Sequence, residues 1–119
     1  MSIDKQNILS LPVSRAIVFH SVVLDYLHRN IEEVFDYGLM DDIILHEYEV
    51  GVDRVSNPEM TDRERIAVID SLATILSTAL QNAQDHITAR TPSPIFADFV
   101  KFIKDNYYLL HYPANNSCS

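Results

Sequence analysis

The sequence predicts an all-α fold, a four-helix bundle-like domain with a long central third helix. Three observations predict it. Apolar residues recur at three- and four-residue steps along four stretches, the spacing that gathers them on one face of a helix. Only two glycines, Gly38 and Gly51, and five prolines interrupt 119 residues, so the elements are few and long. Most of these breakers stand where the periodic stretches start and stop. The whole chain, 1–119, reads as one domain. A domain of this size buries roughly two-thirds of its unfolded surface and needs no metal or disulfide to fold.

The first helix is predicted over about 12–37. Pro12 suits a first turn, where its missing N–H is not required. Gly38 supplies the left-handed residue that ends many helices. An inward stripe starts at Val23 or Leu24 and continues through Leu27, Ile31, Val34 and Phe35. Asp25, Arg29, Glu32 and Asp36 lie opposite. Upstream, Ile17, Val18, Phe19 and Val22 make the helix apolar nearly all round, which points to deeper burial at that end.

The second helix is predicted over about 39–55. Met40, Ile43 or Ile44, Tyr48, Val52 and Val55 form its inward stripe, and Asp42, His46, Glu49 and Asp53 stack on the other face. Gly51 lies inside it, at about 1 kcal/mol of helix propensity. A strand over Ile43–Val52 also fits the alternation of Tyr48, Val50 and Val52 with charge. A lone strand would have nothing to pair with. Asn57-Pro58 ends the element.

The third helix, about 62–90, has the clearest start. Thr61-Asp62-Arg63-Glu64 is a capping box, in which hydroxyl and carboxylate each satisfy a backbone N–H. Ile66, Ile69, Ala73, Leu76, Leu80, Ala83 and Ile87 fall on one stripe; Val68, Leu72, Ile75 and Ala79 make the next. An arc that wide, on a helix of roughly 43 Å at 1.5 Å per residue, needs neighbours on two sides. The fourth helix, about 94–111, starts with Ser93 as cap and Pro94 as first residue. Phe96, Phe99 or Val100, Ile103, Tyr107 and Leu110 point inward. Residues 113–119 are expected to be a flexible tail.

Charge is distributed unevenly. The window Asp25–Asp53 holds nine acids against one strong base, Arg29, and so carries the whole formal net charge of −8. Such a field repels nucleic acid and membrane surfaces and attracts cationic partners. The expected partner is therefore a basic protein, such as a nuclease or a nucleic-acid-binding protein. Direct nucleic-acid or membrane contact is not expected. No apolar run approaches the ~20 residues of a membrane span, and the first eleven residues lack the apolar core of a signal peptide. With Cys118 as the single cysteine, the expected location is cytoplasmic.

Catalytic signals are absent by pattern. Two isolated glycines make no phosphate-binding loop. Cys118 falls in the predicted tail with no base nearby, and no serine sits on a strand-turn-helix elbow. Asp25 with His28, and Asp42 with His46 and Glu49, have spacings that a metal site between helices uses. They fall on faces that read as polar, and paired Glu-x-x-His motifs are missing. No metal or cofactor is expected. Arg15-Ala16-Ile17-Val18-Phe19-His20 resembles the Arg-x4–6-His motif of HEPN ribonucleases, with Ala16 where that motif carries a polar residue. The resemblance implies Arg15 and His20 acting on an RNA phosphate, with the histidine as acid and base.

The leading expectation is a small, acidic, non-enzymatic binding protein that occludes a basic partner with its acidic helical hairpin. Glu32, Asp36, Asp42, His46, Glu49 and Asp53 would steer and pair, and Tyr48 and Tyr108 would anchor. In size, charge and helical class, though in no motif, the chain resembles bacteriocin immunity proteins and phage-encoded inhibitors of host defence. The broad apolar arc of the third helix adds an expected homodimer. A HEPN-like ribonuclease and a purely structural oligomerisation module are the alternatives.

Overall fold

Asn30 marks the first departure from these expectations. In the computed structural model, which describes residues 2–110 and, for side chains, 13–110, its amide Nδ2 donates to the Tyr26 carbonyl at 2.9 Å. The same carbonyl also accepts the Asn30 backbone N–H at 3.1 Å, so side chain and backbone share it. The first helix, α1 (Ser2–Arg29), stops there, and a separate short helix, α2 (Ile31–Asp36), follows. The remaining elements are α3 (Asp42–Val55), α4 (Asp62–Thr88) and α5 (Pro94–Asn106). The described residues thus form five helices and no strand, an all-α bundle with a long central helix.

The first helix also begins at Ser2 rather than at Pro12. Proline inside a helix removes one i to i−4 hydrogen bond and crowds the preceding turn, but it does not forbid the element. The second predicted helix starts three residues late. Asp41 is its N-cap, accepting the Ile44 N–H at 2.8 Å. Residues 113–119, with Cys118, lie outside the described residues, as does the last residue of the predicted fourth helix. That helix stops at Asn106, with Tyr107 as its C-cap.

Other boundary signals hold. Gly38 is left-handed at φ 75°. Around it, Leu39 N–H donates to the Val34 carbonyl at 2.9 Å and Gly38 N–H to that of Phe35 at 3.2 Å. This is the paired closure that satisfies the last carbonyls of a helix. Both halves of the Thr61–Glu64 capping box are present. Ser93 caps α5, with Pro94 in its first turn. At the end of α4 the left-handed position falls to Arg90, at φ 60°, without a glycine.

α4 packs against α1, α3 and α5. Its deeply buried residues are Leu72, Leu76, Ala79 and Ala83. They meet Phe19, Val23 and Leu27 of α1, Leu45, Tyr48 and Val52 of α3, and Phe96, Phe99 and Ile103 of α5 in one core. The predicted stripe is therefore rotated. Its outer members Ile66 and Ile87 face out, and Val18 of α1 does too. By length and composition α4 meets the requirement for a membrane span, which the interrupted apolar run had not suggested.

Gly51 accounts for how closely α3 and α4 approach. A β-carbon at Gly51 would lie 2.6 Å from Leu72 Cδ2, and Leu72 is itself fully packed. Gly51→Val should destabilise the protein by about 2 kcal/mol in urea unfolding, although it removes a glycine from a helix. A stabilised variant would show that this contact does not set the spacing of the two helices. Arg65 closes the same pair of helices at one end. Its guanidinium donates to the carbonyls of Val55 at 3.1 Å and Asn57 at 2.6 Å, and to Asp62 at 3.1 Å. A cation on the last carbonyls of α3 also suits the helix dipole.

Candidate functional site

The acidic stretch is delivered to the surface by three elements: the end of α1, all of α2, and the outer face of α3. The inner face of α3 is defined by Leu45, Tyr48, Gly51, Val52 and Val55, all buried. A helix with that side inward must turn Asp42, His46 and Asp53 outward. All three are exposed, as are Glu32 and Asp36 on α2, and Glu49 is half-buried. α2 is fixed by Val34, fully buried beneath it, and by Asn82 of α4. The Asn82 amide donates to the carbonyls of Gly38 at 2.8 Å and Leu39 at 3.3 Å.

Little compensates these charges. Arg29 is taken by Asp25 at 3.0 Å. His28 Nε2 lies 2.8 Å from Glu49 Oε2, tying α1 to α3, and His46 Nδ1 lies 3.9 Å from the other oxygen of Glu49. Among the described residues Glu32, Glu33, Asp36, Asp41, Asp42, Glu47 and Asp53 have no basic group within ion-pair distance. Asp41 is committed to its capping role. No group of three or more His, Cys, Asp or Glu with metal-holding geometry occurs among the described residues. The His28–Glu49–His46 cluster is two imidazoles on one carboxylate.

The two tyrosine anchors separate. Tyr48 is 0% exposed and packs in the core, so it cannot touch a partner in this fold. This corrects the expectation. Its ring continues the apolar stripe of α3, and its hydroxyl meets His20 Nδ1 at 2.6 Å. Tyr108 is 60% exposed, but it follows α5, whereas the acids lie on α2 and α3. α5 borders α4 along Leu80 and Gln84, the opposite flank from the Val68 and Leu72 that α3 uses. Tyr108 is therefore not part of the acidic face.

His20 is 3% exposed. Burial pushes its imidazole down to about 4, so it is neutral near pH 7. The Tyr48 hydroxyl has one proton to place, and donating it to Nδ1 satisfies both groups, leaving the proton of the imidazole on Nε2. Burial raises the tyrosine well above its ordinary value. A neutral, enclosed imidazole already engaged at Nδ1 is not presented to an RNA phosphate. The acid and base role implied by the HEPN resemblance has no geometry here.

The sequence reading missed the apolar side chains that stand among the acids. Ile43 is 67% exposed and Val50 42% exposed, one above the other at a seven-residue step on α3. Phe35 and Tyr37 are also exposed, beside Asp36. The one available signal was the unresolved choice between Ile43 and Ile44. The structure turns Ile44 inward and leaves Ile43 outside. No family model matches the chain, and no curated protein or solved structure matches it either.

Proposed function

We propose that this chain is a non-enzymatic binding protein whose acidic face on α2 and α3 docks onto a basic surface of a partner protein. One observation carries the reading. The nine acids between Asp25 and Asp53 all reach the surface at least in part, and seven of them have no cation within ion-pair distance among the described residues. Glu32, Asp36, Asp42 and Asp53 do the steering and pairing, with Glu49 and His46 beside them. Occlusion of a cationic surface, in the manner of an immunity protein or a phage inhibitor, is the action this charge arrangement serves. The outward Ile66 and Ile87 of α4 leave room in the same proposal for self-association.

Reversing Asp36, Asp42 and Asp53 to lysine tests it. Each reversal adds two charges, which takes the formal net charge from −8 to −2. None of the three residues caps a helix or joins an ion pair, so the fold should survive, as circular dichroism can check. In affinity capture the wild type should retain a protein of net positive charge at low salt. That protein should be released as the screening length falls below ~8 Å, and the triple variant should bind it on the order of tenfold or more weakly. Equal retention by the variant would overturn the reading.

A further inference from the structure

A groove runs between α3 and α4, with Asp42, His46 and Val50 of α3 among its lining residues and Ile43 exposed nearby on the same helix. The groove has two clefts that meet at Ile75. One, of ≈ 650 Å³, runs under the α2–α3 turn and is lined by Met40, Ile44 and Ala79, with Asp41 and Asp42 on its rim. The other, of ≈ 400 Å³, continues past Val50, Gly51, Val68 and Leu72, with Glu47 at its edge. Gly51 is what lets the floor lie so close to the backbone of α3. On the α4 side the rim is neutral: Ser71, Thr78 and Asn82. The basic residues on the groove are Arg54 and His46, both in the second cleft.

We propose that this groove seats an amphipathic, basic helix of the partner protein, apolar side down, with its lysines or arginines over Asp41, Asp42 and Glu47. The proposal rests on the acidic-face reading and adds to it the shape of what binds. An extended apolar trough between two helices receives a third helix through residues at three-, four- and seven-residue steps. α3 has 14 residues, which allows a seat of about four turns. The charge on the rim selects a basic helix over a neutral or acidic one, because Asp41, Asp42 and Glu47 line it and Arg54 is the one strong base among its lining residues.

Two synthetic peptides of identical composition test it: one with leucines on a single helical face and lysines on the other, one with the same residues scrambled. Fluorescence anisotropy reads binding to the full chain. The amphipathic peptide should bind at least about tenfold more tightly than the scrambled one. Val50→Ser should weaken it at least about threefold, since Val50 lines the groove and is already exposed, so that its loss leaves the core intact. If both peptides bind equally well and both are lost on Asp42→Lys with Glu47→Lys, the groove proposal falls and the acidic-face reading stands. If neither binds, the groove proposal falls, and the acidic face is judged by its own capture experiment.

Discussion

Phe99→Ala is expected to lower the unfolding free energy by about 4 kcal/mol. Phe99 is fully buried in α5, where its ring lies 6.0 Å from that of Tyr26 in α1 and joins the core built on Leu72 and Leu76. Removing a ring at the junction of three helices loses its transfer energy and leaves a cavity that fixed helix axes cannot close. Phe99→Leu keeps most of the volume and should cost under about 1.5 kcal/mol. A domain of this size is stable by about 5–15 kcal/mol, so the alanine variant should show a large drop in its urea midpoint. A loss below about 1 kcal/mol would mean that α5 is not docked as described.

The second large effect is pH-dependent and belongs to His20. Its folded-state value of about 4 lies below the ordinary 6.5 because burial disfavours the charged ring. Below pH 6.5 the unfolded chain takes up a proton that the folded chain refuses. Stability therefore falls as pH drops from 6.5 to about 4, and the contribution is complete only above that window. The loss across it should reach about 3 kcal/mol. Carboxylates titrate at the lower end of the same range, so the measurement needs a reference. His20→Phe with Tyr48→Phe removes the titrating ring and the hydroxyl that would otherwise lose its acceptor. Denaturant unfolding at several pH values should give the wild type a steeper slope than this double variant. Equal slopes would show that His20 is not enclosed.

How far the sequence could be read depended on whether a feature was local. The capping box at Thr61–Glu64, the Ser93-Pro94 start and the left-handed Gly38 are each written in a few adjacent residues, and each is present. The surface position of the acids followed from helical periodicity alone. The break at Asn30 did not. Asn30 keeps its backbone bond to the Tyr26 carbonyl and adds a side-chain bond to it, a local arrangement that periodicity does not encode. Tyr48 belonged to the apolar stripe by spacing, yet its hydroxyl also suited a surface anchor. The deciding fact was a histidine 28 residues away. Ile43 and Val50 were hidden for a related reason: whether an apolar residue on a helix is covered depends on which neighbour arrives beside it, here α4 rather than a further helix.

The link from Asn82 to the carbonyls of Gly38 and Leu39 has a consequence for binding energetics. A helix of six residues has too few internal bonds to persist alone in water. α2 keeps its direction because Val34 and the following turn are fastened to the long helix beneath. Glu32 and Asp36 are thus presented from a preset platform rather than an unfolded arm. Association at that platform forfeits little backbone freedom, and a larger share of the contact energy survives as affinity.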